Sequence, residues 1–368
     1  MSSVSATTSY RQQMRLVRTN AMRVWVVVMV AGLLYLPWVV DQKSLFGLEV
    51  SKHQLLNMDM TQINTTLILL VGALGLNLVT GYTGMISIGN AGFFALGAIV
   101  ASAAGIKWWQ LPFPVVILMC GIAGAAVGAL VGLPALRIRG IYLLLATLGF
   151  HYVMVFLFLK YQIAWFGFGS VDFLRPATLF GYALDTEIRW YYFLLGFAVF
   201  WFAVTKNLLR TRQGRSLIAV RDQEFAASTA GINVPFARIM SFSVSSFMIT
   251  AAGGIYGWYL GSVGADTFTL LFAIGFIAMI VIGGEGSLIG TVLGTLVWQL
   301  TPKALEAGAE MSGGISPGTK EWITQWQTQL TLAIFGILIL VVMVYQPTGL
   351  AGIWTRLKRS FVRWPYTT

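Results

Sequence analysis

Side chains that commonly carry out catalysis or bind metals are scarce and scattered in this sequence. The chain has two histidines, His53 and His151, and one cysteine, Cys120. A metal site needs several such ligands at short spacing, and these three residues form no recognisable metal signature. No paired carboxylates and no Ser/His pair fall in or near the apolar segments. We therefore expect a protein that is not an enzyme and that itself binds no metal or other cofactor.

The composition places these residues in a membrane. Only 10% of the 368 residues are charged, against about 25% in a typical soluble domain. Hydrophobic residues make up 57%, and the mean hydropathy is +0.77. Because polar side chains are too few to cover a water-facing surface, we expect an all-α integral membrane protein lying in a lipid bilayer, with no nucleic-acid partner.

Charge-poor stretches of about 20 residues, the length that crosses a bilayer, define ten candidate transmembrane helices. They are residues 24–40, 63–80, 90–106, 111–136, 140–159, 190–205, 239–261, 269–284, 286–301 and 328–345. With the N-terminus inside, most of the 24 Lys and Arg fall inside and most of the 13 Asp and Glu outside, as the positive-inside rule requires. We predict a basic cytoplasmic tail over 1–23, a transmembrane domain over 24–346 in two pseudo-repeat halves, and a basic cytoplasmic tail over 347–368.

The predicted spans hold almost no ionisable side chains, and His151 is the clear exception. A charge inside the membrane costs about 2.5–3.5 kcal/mol on insertion scales, so Asp, Glu and His relays are kept there for a function. The missing relay disfavours transport driven by an ion gradient. We interpret His151 as a hydrogen-bonded packing residue near the external end of its helix. A role as a substrate or proton ligand is the alternative, and His151 remains a pathway candidate.

Glycines are placed in two informative patterns. Gly124, Gly128 and Gly132 recur every four residues, which predicts close helix packing in the bundle interior or at a subunit interface. Two glycine-rich breaks, residues 81–90 and 283–286, lie in corresponding positions of the two halves, as in transporters whose broken helices line the pathway. Capping of helix ends is the alternative role for their polar residues. The candidates for the pathway or an inner gate are Asn77, Gly81, Gly84, Ser87, Asn90, His151, Gly283, Gly284, Glu285, Gly286 and Ser287.

A long inside loop, residues 206–238, contains an amphipathic helix that begins near Ser216 and ends at Gly231. Phe225 contributes to its apolar face, and Arg215 and Arg221 are expected to face Asp222 and Glu224. The composition favours a docking element for another protein, and a helix lying on the membrane surface is the alternative. The predicted docking residues are Gly214, Arg215, Leu217, Ala219, Val220, Arg221, Asp222, Glu224, Ala226, Ala227 and Gly231.

The stretch from residue 214 to 232 resembles the coupling loop of permease subunits of ABC importers. In detail it is similar to the M-type permease of branched-chain amino acid uptake systems, whose close relatives carry urea and short amides. Four further stretches resemble the same family, and the whole resemblance covers roughly residues 60–352. They are residues 75–97, 136–150, 283–294 and 347–352.

The resemblance implies a multi-pass permease of the bacterial inner membrane that moves a branched-chain amino acid or a similar small amino acid or amide. It further implies a second, homologous permease, two cytoplasmic ATPase subunits that bind ATP-Mg, and a periplasmic substrate-binding protein. The chain itself has no Gly-x-x-x-x-Gly-Lys-[Ser/Thr] phosphate loop, so ATP hydrolysis falls to other subunits. The alternative is an ion-coupled secondary transporter or facilitator for a small neutral solute, in which the loop is only a solvated connection.

Overall fold

The computed structural model describes residues 32–38, 44–45, 48–49 and 59–362, except for residues 139, 174–175, 180, 314–316 and 347. The chain divides into two compact units, Met1–Lys52 and His53–Thr368. The described part of the first unit has a helix over residues 32–38 and two antiparallel strands, β1 (Ser44–Leu45) and β2 (Leu48–Glu49). The predicted tail over 1–23 lies outside the described residues, as does much of the predicted span 24–40.

The second unit is helical over most of its described length, which confirms the predicted fold class. Its α-helices are α1 (Met60–Thr83), α2 (Asn90–Ser102), α3 (Phe113–Gly132), α4 (Ile141–Phe166), α5 (Glu187–Arg210), α6 (Arg212–Asp222), α7 (Glu224–Thr229), α8 (Val234–Leu260), α9 (Leu270–Gly283), α10 (Leu288–Gly313), α11 (Pro317–Gln325), α12 (Gln327–Tyr345) and α13 (Gly349–Val362). A π-helical segment, Ala103–Lys107, extends α2, and 3-10 turns lie at Pro134–Leu136 and Ala265–Thr267.

Among the described residues, eight helical segments are long and apolar enough to cross a membrane. They are Met60–Thr83, Asn90–Lys107, Phe113–Gly132, Ile141–Phe166, Glu187–Arg210, Val234–Leu260, Ala265–Gly283 and Gln327–Tyr345. These eight correspond to eight of the ten predicted spans. The predicted span 286–301 falls in α10, which continues through Pro302 and Lys303 and is not among the eight. The total of ten spans, the two-half repeat and the sidedness stay predictions.

Helices α1 and α8 form the centre of the bundle. Helix α8 packs along α1, α2 and α3, and α1 also contacts α5, α9 and α10. Gly124 and Gly128 of α3 lie so close to Ser246 and Thr250 of α8 that neither glycine has room for a Cβ atom. In lipid, where apolar surface alone does not drive helices together, such close contact is a main source of association. The glycine ridge of α3 therefore packs in the bundle interior, as its spacing predicted.

Short strands close the end of the bundle at which α4 and α8 finish. Strand β3 (Val171–Asp172) pairs antiparallel with β6 (Ser262–Val263), which joins the segments that follow α4 and α8. A separate hairpin is formed by β4 (Thr178–Leu179) and β5 (Tyr182–Ala183). The other end of the bundle, where α1 finishes, is contacted by α6 and α7.

Candidate functional site

The two glycine-rich breaks predicted from the sequence contact each other directly. Asn77, in the penultimate turn of α1, is completely buried and links them. Its Nδ2 donates to Thr291 Oγ1 at 2.8 Å and to the Ser287 carbonyl at 3.2 Å, and its Oδ1 accepts from the Gly286 N–H at 3.0 Å. We call the set of Asn77, Gly81, Gly286, Ser287 and Thr291 the junction.

Backbone conformation ends both helices at the junction. Helix α1 stops because Gly84 has a φ of +73°, a left-handed conformation that costs glycine nothing, and its N–H returns to the Thr80 carbonyl at 3.1 Å. Helix α9 stops at Gly283, and its C-cap Gly284 has a φ of +114°. Gly286, with a φ of +74°, lies against the carbonyl of Gly81. Both breaks therefore depend on glycine for shape as well as for close approach.

The C-terminal motif predicted at residues 347–352 completes the second break. Gly349, with a φ of +65°, packs directly on the backbone of Gly283 and Gly284, where a side chain would collide. The following helix, α13, contacts both α9 and α10. Glu285, between the close-packed glycines, is exposed and forms no ion pair with any described residue.

Ser87 and Asn90 lie in the first break but on its other side, against α4. The Ile88 N–H donates to Thr147 Oγ1 at 3.1 Å, and Ser87 Oγ accepts from the Gly89 N–H at 3.4 Å. Both predicted residues are buried, and Asn90 Nδ2 has no hydrogen-bond partner in the described part of the chain. Of the predicted gate residues, Asn77, Gly81, Gly286 and Ser287 therefore meet at the junction, whereas Ser87 and Asn90 do not.

His151 is not part of the junction either. It is buried where α4 crosses α2 at Gly92, one turn beyond Thr147. The prediction of burial was right, but its Nδ1 has no hydrogen-bond partner among the described residues. The predicted position near the helix end was also wrong, because α4 continues to Phe166 instead of stopping near residue 159.

The predicted docking helix is in fact two helices, α6 and α7, separated by Gln223, which has an extended backbone with φ −155° and ψ 102°. Helix α6 begins at Arg212, earlier than predicted, because Thr211 Oγ1 caps it by accepting from the Gly214 N–H at 3.2 Å. Gly231, with a φ of +82°, follows the C-terminus of α7, as predicted. We call Arg212–Thr229 the α6–α7 loop.

One face of this loop is anchored in the bundle. Leu217 and Val220 of α6, which the sequence placed among the docking residues, are buried and pack with Leu78 and Tyr82 of α1. Ala227 joins the same hydrophobic cluster. Phe225 does not, because the change of direction at Gln223 turns it outward, and its side chain is 81% exposed. The sequence placed Phe225 on the same apolar face as Leu217 and Val220, and the structure separates them.

The charged side chains of the loop also find partners different from those predicted. Arg221 Nη1 donates to the Gly81 carbonyl at the junction, and Arg215 Nη1 donates to the Arg210 carbonyl at 3.0 Å. Glu224 forms an ion pair of 2.7 Å with Arg238 of α8. The predicted pairing of Arg215 and Arg221 with Asp222 and Glu224 fails because Gln223 places Glu224 on the α8 side.

Arg238 was not in the predicted set. Its guanidinium is nearly buried, and Nη1 also donates to the Ala135 carbonyl, in the 3-10 turn after α3, at 3.1 Å. The available signal in the sequence was an arginine in the first turns of an otherwise apolar helix. Such a charge is retained only when it is paired.

Comparison with known proteins identifies the family. Residues 60–343 match the family described as branched-chain amino acid transport system, permease component. The LivM permease of Escherichia coli (strain K12), a high-affinity branched-chain amino acid transport permease, is 26% identical over 308 residues, covering 77% of this chain and 68% of that protein. A probable branched-chain amino acid permease, LivM of Methanocaldococcus jannaschii, is 27% identical over 326 residues, covering 83% and 90%.

Sugar permeases are also related. The ribose import permease RbsC of Haemophilus influenzae is 27% identical over 254 residues, covering 66% of this chain and 75% of that protein. No solved structure matches the chain significantly. The relatives are transport permeases and not enzymes. This multi-pass membrane protein belongs to the family of branched-chain amino acid transport system permease components.

Proposed function

We propose that this chain is an inner-membrane permease subunit of an ATP-binding-cassette importer. With a homologous permease it forms the translocation pathway for a branched-chain amino acid or a similar small amino acid or amide. Two cytoplasmic ATPase subunits bind and hydrolyse ATP-Mg, and a periplasmic binding protein delivers the substrate. The observation that carries the proposal is the α6–α7 loop, which is anchored on one face and exposed on the other.

The exposed face of the loop is the proposed ATPase-docking surface, made up of Arg215, Ile218, Asp222, Phe225 and Ala226. Ile218 and Phe225 are exposed large apolar side chains on an otherwise polar loop. Aromatic side chains surrounded by polar residues are typical anchors of protein interfaces. The buried face supports this role, because Leu217 and Val220 tie the loop to the end of α1 and so connect a docked subunit to the bundle.

The groups that Asn77 binds favour a substrate without net charge. They are a hydroxyl and backbone groups, and none of them is charged. A neutral or zwitterionic solute needs no buried counter-charge to cross such a region. The names of the LivM relatives refer to branched-chain amino acids, and LivM aligns over more of this chain than RbsC does. This difference supports an amino acid over a sugar as the substrate.

Reconstitution tests this proposal. The chain is placed in proteoliposomes with the second permease, the ATPase subunits and the binding protein, and uptake of labelled leucine is measured with and without ATP. We expect ATP-dependent uptake that is lost when the ATPase subunits carry an inactivating phosphate-loop substitution. Competition by unlabelled valine, ribose and urea identifies the substrate class. Uptake by this chain alone under an ion gradient would establish the secondary-transporter alternative instead.

A further inference from the structure

Arg221 connects the α6–α7 loop to both breaks at once. Its Nη1 donates to the Gly81 carbonyl, in the last turn of α1. The same guanidinium packs against Gly286 of the second break, where an added Cβ would lie 2.5 Å from Nη1. Its aliphatic stem passes Gly84, the left-handed residue that ends α1. A single side chain therefore contacts Gly81 and Gly286 of the junction and the neighbouring Gly84.

The carbonyl that Arg221 binds is one of those left without a partner at a helix C-terminus. A positive charge is also stabilised there by the helix dipole. Beyond this contact, the loop is held to α1 by packing of Leu217 and Val220, which is not directional. The hydrogen bond from Arg221 is directional and charge-assisted, so it fixes the position of the loop relative to the junction.

We propose that Arg221 is a positioning residue that transmits movement of the α6–α7 loop to the junction, and not a contact residue for the ATPase. This inference rests on the proposed function. A shift of α6 carries the guanidinium with it. Because Asn77 links the end of α1 to Gly286, Ser287 and Thr291, that shift displaces both breaks together. The loop and the junction then move as one unit during the transport cycle.

The first experiment compares Arg221→Gln, Arg221→Lys and Arg212→Gln in the reconstituted complex. Arg212 is exposed in the first turn of the same helix, so its variant removes an equal charge away from the junction. We expect Arg221→Gln to retain the ATPase subunits on co-purification and to keep hydrolysing ATP, while uptake per ATP hydrolysed falls about tenfold or more. Arg221→Lys should recover part of the loss, because it keeps the charge without the planar guanidinium.

Loss of ATPase co-purification in Arg221→Gln would overturn the inference, since it would make Arg221 a docking residue. Equal falls in ATP hydrolysis and uptake would also overturn it, because a purely structural role lowers both together. Failure of the wild-type chain to bind ATPase subunits would instead contradict the proposed function. The two failures are therefore distinguishable in the same set of preparations.

A cross-link provides a second test. A Cβ built on Gly84 lies 3.7 Å from Arg221 Cβ, within the range of about 3.5–4.5 Å that a disulfide requires. In a Gly84→Cys, Arg221→Cys chain that also carries Cys120→Ala, we expect low coupling when reduced and recovered coupling when oxidised. Oxidised protein that couples no better than reduced protein, while a Gly84→Cys single variant still couples, would overturn the proposal, because fixing the loop to the junction would then not restore transport.

Discussion

The Asn77 side-chain oxygen accepts a hydrogen bond from the Gly286 N–H at 3.0 Å, which links the end of α1 to the second glycine-rich break. The two residues are 209 positions apart in the chain. The amide nitrogen of Asn77 is bound at the same time to Ser287 and Thr291, so one buried side chain satisfies three groups in and just after the second break.

Replacing Asn77 should destabilise the protein more than replacing another buried asparagine. In Asn77→Ala, the Gly286 N–H and the Thr291 hydroxyl lose a partner inside the bundle, and we expect a loss of about 2–4 kcal/mol. Asn90→Ala is the matched control, because Asn90 is equally buried but its Nδ2 has no partner among the described residues. Thermal unfolding in detergent should show a clearly larger fall in Tm for Asn77→Ala. Equal falls would mean that the junction hydrogen bonds contribute little.

The glycine ridge of α3 should not tolerate even one added methyl group. In Gly124→Ala the new Cβ meets the Ser246 carbonyl at 2.5 Å, so α3 and α8 must move apart, at a cost of about 1–3 kcal/mol. Gly196→Ala in α5 adds the same methyl group where nothing lies within 4 Å. We expect Tm to fall in the first variant and to stay level or rise in the second. A fall of similar size in both would contradict this expectation, because alanine is the better helix former and the loss would then not depend on the close packing of α3 against α8.

The Arg238–Glu224 pair should stabilise the protein more than an exposed pair does. Their side chains are 8% and 26% exposed, and Arg238→Gln leaves Glu224 and the Ala135 carbonyl without this donor. We expect a loss of about 2–3 kcal/mol. Arg189 and Asp185 form an exposed pair at 3.7 Å, and Arg189→Gln should cost less than about 1 kcal/mol. A double-mutant cycle with Glu224→Gln measures the coupling, and a coupling near zero would contradict the expectation.

Phe225 should matter for assembly and not for folding. Its side chain is 81% exposed, so Phe225→Ala should leave Tm unchanged while it reduces co-purification of the ATPase subunits several-fold. Phe242→Ala, which removes a fully buried ring, provides the opposite control. It should lower the free energy of unfolding by about 3–5 kcal/mol and Tm with it. Undiminished ATPase binding by Phe225→Ala would remove this residue from the proposed docking surface.

Local patterns predicted the helices and the two breaks well. The apolar run at residues 63–80 corresponds to α1, and the glycines at 81 and 84 indicated where it stops. The interruption at Gln223 was missed because no glycine or proline marks it, and the ion pair that Glu224 forms with Arg238 beyond it joins residues of two different helices. For the same reason the outward position of Phe225 had no local signal.

Contacts between distant parts of the chain could not be predicted from the sequence. Asn77 and Gly286 were both named as gate candidates, but nothing in their neighbouring residues indicates that they bind each other. The partner of Arg221 was equally hidden, because a backbone carbonyl has no residue type to recognise. Charge pairing along a helix suggested Asp222 and Glu224, and tertiary packing selected Gly81 instead.

The junction also has a consequence for biosynthesis. Thr291 is 214 residues downstream of Asn77, so the ribosome releases α1 long before the groups that Asn77 binds have been made. During that interval the Asn77 amide lacks the partners that it has in the folded protein. The end of α1 therefore reaches its final contacts only after α10 has been synthesised.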